Sequence, residues 1–374
     1  MTFSRATFDA EMMAIALGQA RRGLGQTAPN PSVGTVIANE ATGEVIARGF
    51  TAPGGRPHAE TIAIAAAGAR AKGATIYVTL EPCSHHGQTG PCADAIIKAG
   101  IKRAVVAIED PDPRVAGRGL DKLRAAGIVV VRGLGSDEAR WLTRGHIVRV
   151  TERRPFITLK MALDAKGEIA HGAGGKPRWV TGEAARANGH LLRARADAIL
   201  AGAGTIRDDN PELTCRLPGL QKRSPVRVVV SSALDIPDAS RIIETAREIP
   251  VWLVAARGID ARRRATFETK GAHVIEVNTV ANKIWLPTVM EELVARGITR
   301  VLVEGGPGMW RAFADASLVE EVVLYMAGQK TDERAARAAI TRQLGPLELE
   351  LNEKRTLEPD TMWRLRRVAA KRGP

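Results

Sequence analysis

The sequence predicts an α/β protein made of two α/β domains, and three observations support this. Short strand patterns alternate with helical patterns over residues 8–131, the alternation breaks at 152–155, and it resumes from residue 156. Strands that alternate with helices at this spacing predict largely parallel sheets covered by helices. A length of 374 residues, at roughly 150 per domain, agrees with two domains, which we expect at 1–150 and 151–374.

The elements of the first domain follow from hydrophobic periodicity. Apolar side chains recur at helical spacing from Phe8 to Ala16, and Gly23 can end that helix. Short β-branched runs bounded by turn residues predict strands, and a turn at 40–44 joins the first two. The predicted helices are 8–22, 58–69, 92–99 and 120–126, and the predicted strands are 33–37, 45–50, 75–80, 104–108 and 128–131.

The second domain is predicted by the same alternation of strands and helices. Strands are expected at 156–162, 198–201, 226–230, 251–255, 273–277, 300–303 and 319–325, and helices at 183–195, 286–296 and 309–314. The Gly-rich segment 172–175 is predicted to be a mobile loop. The sequence contains neither an internal repeat nor a low-complexity linker.

Composition excludes several classes of protein. With 45% hydrophobic and 25% charged residues, disorder, collagen and coiled coil are excluded as the main organisation. No apolar run reaches the roughly 18 residues of a membrane span. Residues 1–23 resemble an amphipathic helix rather than a signal peptide. Three cysteines are too few for a disulfide framework, so we expect a reducing, cytoplasmic location.

The formal net charge of +13 favours either nucleic acid or small anionic ligands. The positive charge is spread over both predicted domains, without a basic arm or tail. Only two Tyr, six Phe and six Trp are available to stack on bases. These facts favour phosphorylated small molecules as ligands, and we expect neither nucleic acid nor a membrane as a partner.

The strongest local signal is His58-Ala59-Glu60 followed by Cys83 and Cys92, each cysteine preceded by proline. One His and two Cys are the three protein ligands of a catalytic zinc ion, whose fourth position stays open for water. Glu60 would then be a proton shuttle and not a ligand. Taken singly, His58 would be interpreted as a surface residue and the cysteines as buried small side chains. The four residues in one pattern favour zinc, which leaves Cys215 as a buried thiol.

This pattern resembles the zinc deaminase superfamily, whose signature is H-x-E followed by P-C-x-x-C. Eight residues separate the two cysteines here, and the longer loop at 82–92, PCSHHGQTGPC, resembles that of the bifunctional deaminase–reductases of riboflavin synthesis. Residues 30–34 (NPSVG), 110–113 (DPDP) and 117–119 (GRG) match the same family. The resemblance implies a cytidine-deaminase-like three-layer sandwich for the first domain.

The resemblance also implies that Asn30 contacts the pyrimidine and that His85 lines the substrate pocket. Without the zinc pattern, Asn30-Pro31 would be interpreted as a simple turn. Two positions depart from the family: Gln88 replaces a Lys or Arg that helps to hold the substrate phosphate, and Asp112 replaces an Asn. The phosphate contact at residue 88 is therefore not carried over.

The second half resembles the reductase domain of the same family, which has a dihydrofolate-reductase-like fold. The matching segments are 159–164 (LKMALD), 179–182 (WVTG), 203–216 (AGTIRDDNPELTCR) and 301–306 (VLVEGG). A strand that ends in glycines before a helix leaves backbone N–H groups free to meet a cofactor phosphate. The resemblance extends to about residue 327, and the tail after Gly328 lacks the family's usual Pro-containing ending.

The resemblance implies one zinc ion per chain and NADPH as the second cofactor. The residues expected to hold NADPH are Trp179, Thr205, Asp209, Ser232 and Gly306. The residues expected to hold the phosphorylated substrate are Arg193, Leu213, Arg216 and Glu304, the arginines suiting its phosphate. A helix-ending turn at 209–211 and a solvated helix face at Arg193 are the structural alternatives. Pro177 replaces a substrate-contacting Ser, so that contact is not carried over.

The implied function is two steps of riboflavin biosynthesis carried out by a homo-oligomer, a dimer or tetramer. The first is hydrolytic deamination of 2,5-diamino-6-(5-phosphoribosylamino)pyrimidin-4(3H)-one, and the second reduces the ribosyl group of the deaminated product to ribityl with NADPH. One alternative is a nucleoside or nucleic-acid deaminase with an unrelated appended domain, which the eight-residue cysteine loop disfavours. Another is a non-catalytic RNA-binding protein with structural zinc, which three ligands instead of four disfavour.

Overall fold

A computed structural model describes residues 4–87, 90–113, 115–169, 180–328 and 331–368. The chain divides into two compact units, Met1–Arg154 and Pro155–Pro374. No helix among the described residues is long and apolar enough to cross a membrane.

The first unit contains the following helices and strands. They are α1 (Arg5–Gly23), β1 (Gly34–Asn39), β2 (Glu44–Phe50), α2 (Ala59–Ala67), β3 (Thr75–Val78), α3 (Cys92–Lys98), β4 (Arg103–Val106), α4 (Arg118–Ala125), β5 (Val129–Arg132) and α5 (Ser136–Glu152). The first helix begins at Ser4, whose hydroxyl accepts the backbone N–H of Thr7 at 3.2 Å. Its Phe8, Met12 and Ala16 are buried, as the periodicity predicts.

The strands of the first unit form one sheet in the order β2-β1-β3-β4-β5. Strands β3, β4 and β5 are parallel, whereas β1 runs antiparallel to both of its neighbours. The expectation of a largely parallel sheet therefore holds for β3, β4 and β5 but not for the pairs that β1 forms. Strands β1 and β3 are buried along almost their whole length, as expected of central strands covered on both faces.

The second unit contains a longer series of elements. They are β6 (Phe156–Leu163), α6 (Glu183–Ala194), β7 (Ala198–Gly202), α7 (Ala203–Asp209), β8 (Val226–Val230), α8 (Arg241–Glu244), β9 (Val251–Ala256), α9 (Ala261–Glu268), β10 (His273–Val277), β11 (Thr279–Val280), β12 (Lys283–Ile284), α10 (Leu286–Ala295), β13 (Arg300–Val303), α11 (Pro307–Asp315), β14 (Glu321–Met326), α12 (Glu333–Leu344), β15 (Leu349–Leu357) and β16 (Asp360–Arg367).

The main sheet of the second unit has the order β10-β9-β8-β7-β13-β6-β14-β16-β15. The strands from β10 to β14 in this order are all parallel, and β16 and β15 then pair antiparallel at one edge. Apolar clusters lie on both faces of the sheet, one around Leu159 and Val303 and another around Ile199 and Leu253. The carboxyl ends of the parallel strands therefore share one edge, where sites of such sheets form.

The sequence did not predict α5, α7, α8, α9, α12, the short hairpin β11–β12 or the hairpin β15–β16. For two of these regions the structure shows why. Helix α5 was not predicted, because Thr143, Gly145 and His146 occupy buried positions and obscure the apolar periodicity. The hairpin β15–β16 was missed because charged side chains interrupt β16, where Arg364 and Arg366 reach Glu321 of the neighbouring strand at 3.4 Å. Both regions thus bury polar groups that are paired only in the folded chain.

Some predictions concern residues that the structure does not describe. They are the Gly-rich loop 172–175, the cofactor residue Trp179 and the departures at Gln88 and Pro177.

Candidate active sites

Three predicted metal ligands converge in the first unit. His58 is the N-cap residue of α2, Cys92 is the first residue of α3, and Cys83 lies in the loop after β3. His58 Nδ1 lies 3.3 Å from Cys92 Sγ and 3.7 Å from Cys83 Sγ. All three donor atoms lie within 4.8 Å of one another. His58 and Cys92 are brought together at the N-terminal ends of α2 and α3.

This donor set fits a zinc ion. With Zn–S and Zn–N bonds of about 2.3 and 2.0 Å, two donors on a tetrahedral ion lie about 3.6 Å apart, close to the observed distances. Hydrogen bonds from Cys92 and from His58 lower the pKa of Cys83 to about 4, whereas the hydrogen bond with Cys83 raises the pKa of Cys92. A zinc ion would displace the Cys92 proton, because metal binding releases protons from thiol ligands. The backbone N–H of Cys92 also donates to Cys83 Sγ at 3.3 Å. Three protein donors leave a fourth position, as in catalytic zinc sites.

Glu60 is buried close to the three donors, in the first turn of α2, with 3% of its surface exposed. Burial and the negative charge of Cys83 raise the pKa of Glu60 to about 7. A carboxyl group that titrates near neutral pH can both take up and release a proton. Glu60 therefore has the property that a general acid–base requires.

Most of the predicted deaminase residues line one cleft. The predicted residues in its walls are Asn30, His58, Glu60, Cys83 and His85. Asn30 Nδ2 donates to the Gly55 carbonyl at 2.8 Å, so the amide oxygen is the atom that can accept from a ligand. Gly55 has a φ of 85°, and a Cβ there would lie 2.7 Å from Asn30 Nδ2.

Glu81, a buried residue of the same cleft that sequence reasoning missed, fixes the loop before α4. Its carboxylate accepts four hydrogen bonds at 2.8–3.3 Å from the backbone N–H groups of Asp110, Gly117, Gly119 and Leu120. This loop carries Asp110 and Asp112, which also line the cleft. Glu81 therefore holds one wall of the cleft in place.

Helix α5 supplies two further cleft residues, His146 and Arg149. His146 Nε2 lies 3.0 Å from Asp110 Oδ1, and its Nδ1 lies 3.4 Å from Arg149 Nη2. Nothing in the sequence distinguished these residues, because their helix was not recognised and they belong to no motif.

In the second unit, three predicted cofactor residues follow neighbouring parallel strands. Thr205 lies in α7 directly after β7, Ser232 follows β8, and Gly306 is the N-cap of α11 after β13. Strands β8, β7 and β13 are adjacent in the sheet, so these positions share one edge. Asp209 is the last residue of α7.

Glu304 connects this edge with a buried cluster of charges. Arg193 Nε and Nη2 donate to its two carboxylate oxygens at 2.7 and 2.9 Å, and Lys160 Nζ lies 3.8 Å from Oε2. Burial would raise the pKa of Glu304, but Arg193 and Lys160 lower it to about 2, so the carboxyl is ionised. Lys160 was not predicted as a site residue, although it lies in a matched segment. Burial lowers the pKa of Lys160 more than Glu304 raises it.

Two of the predicted substrate residues have side chains that are engaged within the protein itself. Arg193 Nη1 donates to the Thr214 carbonyl at 2.9 Å, so three nitrogens of its guanidinium are engaged by the protein. Leu213 is 2% exposed within the apolar core and has a φ of 53°. Its side chain therefore faces the core and not the surface of the 203–216 segment.

Arg216, in contrast, lies near the surface. Its Nη1 lies 3.1 Å from Glu212 Oε2, and its side chain is 44% exposed. The backbone N–H of Arg216 donates to His190 Nδ1 at 3.3 Å. Burial, Arg193 and Arg216 lower the pKa of His190 to about 4, so this unpredicted neighbour is neutral at pH 7.

Comparison with known proteins assigns a family to each unit. Residues 6–108 match the cytidine and deoxycytidylate deaminase zinc-binding region, and residues 155–362 match the RibD C-terminal domain. RibD of Bacillus amyloliquefaciens is 41% identical over 315 residues, 84% of this chain and 83% of the relative. RibD of Aquifex aeolicus is 37% identical over 319 residues, 85% of this chain and 86% of the relative.

Solved structures agree with these relatives. Acinetobacter baumannii RibD, form 1, superposes with a TM-score of 0.82 at 32% identity and covers 97% of this chain and 99% of its own. A diaminohydroxyphosphoribosylaminopyrimidine deaminase/5-amino-6-(5-phosphoribosylamino)uracil reductase from Thermotoga maritima superposes with a TM-score of 0.82 at 31% identity. It covers 98% of this chain and 100% of its own.

The zinc-binding donor set and the two matched domains define a zinc-dependent deaminase joined to an NADPH-dependent reductase. The chain belongs to the RibD family of riboflavin biosynthesis proteins. It is accordingly a bifunctional deaminase and reductase, and the predictions of fold class, activity and cofactors are confirmed.

Proposed function

We propose that residues 1–150 carry the deaminase and residues 151–374 the reductase, acting in that order on phosphorylated pyrimidines. The supporting observation is that His58, Cys83 and Cys92 converge with the buried Glu60 at one cleft. The first substrate is 2,5-diamino-6-(5-phosphoribosylamino)pyrimidin-4(3H)-one. The second is its deaminated product, 5-amino-6-(5-phosphoribosylamino)uracil, whose ribosyl group becomes ribityl.

In the deaminase, His58, Cys83 and Cys92 would hold the zinc ion. When bound, zinc would act as a Lewis acid that lowers the pKa of water, so that water can lose a proton and attack at neutral pH. The Glu60 carboxylate takes a proton as water adds to the amine-bearing carbon. Glu60 passes this proton to the ring nitrogen of the C=N bond across which water has added. It then moves the proton of the new hydroxyl group to the amino group, so that the C–N bond breaks, ammonia leaves and a carbonyl remains. Asn30 Oδ1 and His85 orient the pyrimidine ring in the cleft.

In the reductase, NADPH when bound supplies the hydride. Its proposed contacts are Trp179, Thr205, Asp209, Ser232 and Gly306. The end of β13 supports this assignment, because Gly306 caps α11 without a side chain, and the N–H groups that could meet a phosphate are those of Gly306 and Gly308 on either side of Pro307, which has none. The positions after β7 and β8 extend the same edge of the sheet.

The substrate of the reductase would be held by Arg193, Leu213, Arg216 and Glu304. Arg216 is the arginine with surface access, which suits it to the phosphate. Arg193 is engaged by Glu304 and Thr214, so we assign it to orienting the Glu304 carboxylate toward the sugar hydroxyls. Leu213 contributes through its backbone, because its side chain is in the core.

The proposal includes a cytoplasmic location and a homo-oligomer, a dimer or tetramer, with neither nucleic acid nor a membrane as partner. Three free cysteines support the location, because thiolate ligands persist in a reducing compartment. The oligomer is carried over from the family resemblance.

A coupled assay on the full chain tests the proposal. With the diaminopyrimidine substrate and zinc but without NADPH, we expect stoichiometric ammonia release. Addition of NADPH should then produce oxidation of one NADPH per ammonia. Cytidine serves as the matched control and should release no ammonia. Ammonia release from cytidine but not from the diaminopyrimidine would contradict the assignment of the substrate. NADPH oxidation without prior deamination would contradict the order of the two reactions.

A further inference from the structure

A buried histidine in the wall of the deaminase cleft has no part in the mechanism above. His146 lies on α5 and is 6% exposed, and its hydrogen-bond partner Asp110 is 8% exposed. Both residues line the same cleft as Glu60 and His58. The distance from His146 Nε2 to Asp110 Oδ1 is 3.0 Å, which is a good hydrogen bond.

The neighbours of His146 determine which of its nitrogens carries the proton. Its Nδ1 faces Arg149 Nη2 at 3.4 Å, and a guanidinium can only donate. Nδ1 is therefore the acceptor, and the proton of a neutral imidazole lies on Nε2. This tautomer places an N–H donor against the Asp110 carboxylate, in the manner of residues that orient the groups of an active site.

The orientation of Asp110 depends on few bonds. Its Oδ1 accepts the backbone N–H of Asp112 at 2.9 Å as well as His146 Nε2. The backbone of Asp110 is already fixed by Glu81, which accepts its N–H at 3.1 Å. Among the described residues, His146 is thus the side chain that holds the carboxylate itself. It and the backbone N–H of Asp112 both donate to the same oxygen, Oδ1.

The chemistry of the cleft gives this arrangement a use. A carboxylate only accepts hydrogen bonds, whereas an aminopyrimidine presents amino and ring N–H donors. A carboxylate in the wall of a cleft is suited to bind such donors, and a rotamer that is fixed before the ligand arrives lowers the entropic cost of binding.

We propose that His146 is a positioning residue of the deaminase, whose Nε2–H holds the Asp110 carboxylate in the orientation that binds the N–H groups of an aminopyrimidine. The inference rests on the proposed function of the cleft. It assigns His146 to substrate binding and not to the proton transfers, so its loss should raise KM much more than it lowers kcat.

Three substitutions at this position test the role in the full chain. His146→Phe removes both nitrogens and His146→Asn places an amide near Nδ1, so both should raise KM for the diaminopyrimidine about 10- to 100-fold, the range typical of outer hydrogen-bond partners. His146→Gln places its amide near Nε2 and should restore KM close to the wild-type value. Zinc content and the NADPH-dependent reaction on deaminated substrate should not change in any of them. Arg140→Gln, at an exposed position of α5, is the control.

The outcomes separate a positioning role from a structural one. An unchanged KM in His146→Phe, or a glutamine variant as poor as the asparagine variant, overturns the inference. If the phenylalanine variant does not fold, the asparagine and glutamine variants decide alone, because both are polar and of similar shape. A wild-type chain that releases no ammonia from this substrate would contradict the proposed function and the inference together. An active wild type with unaffected variants would contradict the inference alone.

Discussion

The zinc site of the first unit and the Glu304 cluster of the second unit both concentrate charge in a buried place, but they balance it differently. The first gathers a thiolate, a second cysteine and a carboxyl that titrates near pH 7 around a position for a cation. The second neutralises one carboxylate with Arg193 and Lys160 of the same chain.

This difference indicates what each site depends on. A cluster of acidic donors around a metal position is completed by an ion that the chain does not supply. A carboxylate paired with two cations of its own chain is complete on folding, and removal of one member leaves a buried charge uncompensated. The first site should therefore respond to metal and to changes of its proton shuttle, and the second to changes in its own ion pair.

The largest expected effect is on deamination by Glu60→Gln. Loss of the proposed proton shuttle should lower the rate of ammonia release by about 10²- to 10⁴-fold, while zinc content and NADPH oxidation on deaminated substrate stay at wild-type values. Glu44→Gln makes the same chemical change at an exposed position of the same unit and serves as the control. Near-normal deamination by the Glu60 variant would remove this residue from the mechanism.

The next effect concerns the stability of the second unit. Glu304→Gln leaves Arg193 and Lys160 with a weaker partner, and the breaking of a buried pair costs about 3–5 kcal/mol. Urea unfolding of the full chain measures this loss of stability. The transition that belongs to the second unit is the one that NADPH shifts to higher urea concentration, because the cofactor stabilises the folded unit to which it binds. Glu268→Gln, which removes one of the two carboxylates that pair with the exposed Arg264, should leave this transition nearly unchanged. If both variants lost the same free energy of unfolding, Glu304 would not stabilise the second unit by neutralising Arg193 and Lys160.

A smaller effect is expected at the surface of the same site. Arg216→Ala removes the proposed charge-assisted contact with the substrate phosphate, worth about 1.5–3 kcal/mol, and should lower kcat/KM of the reductase roughly 10- to 100-fold. NADPH affinity, measured by fluorescence, should be nearly unchanged. Arg262→Ala, at an exposed position of α9, is the control. If the Arg216 variant bound NADPH poorly but used the substrate as well as the wild type does, Arg216 would belong to the cofactor site and not to the substrate site.

The smallest effect is a change in the pH dependence of stability. The pKa of His190 is about 4 in the folded chain, below its ordinary value of 6.5, so the unfolded chain binds more protons between these values. Stability should therefore fall as pH drops from 6.5 to 4. His190→Gln should reduce this slope by less than about 1.4 kcal/mol per pH unit, since solvent screens a half-buried group. His273→Gln, at an exposed position, should leave Tm against pH unchanged.

The two sites also differ in how far the sequence predicts them. Histidine and cysteine are rare, so His58, Cys83 and Cys92 in one pattern indicated zinc before any fold was known. Ordinary residue types carry no such signal: Arg193 and Glu304 are 111 positions apart, and their bidentate pair with Lys160 nearby becomes apparent only in the folded chain. The family resemblance indicated Arg193 and Glu304 but not Lys160 or His190.

The fold shows the same limit. Buried apolar strands such as β3 and β13 were predicted because hydrophobic runs bounded by turns are local signals. Helix α5 and strand β16 bury polar side chains whose partners lie on other elements, His146 with Asp110 and Arg364 with Glu321. Their stabilisation is non-local, so no window of sequence contains it.

The central claim is that the two activities belong to two separate sites, of which only the first needs zinc. Progressive removal of zinc from the full chain, with ammonia release and NADPH oxidation measured on each sample, tests this directly. We predict that ammonia release falls in proportion to zinc content and returns when zinc is restored, while NADPH oxidation on deaminated substrate stays constant. A parallel fall of both rates, or deamination that survives the loss of zinc, would contradict the account.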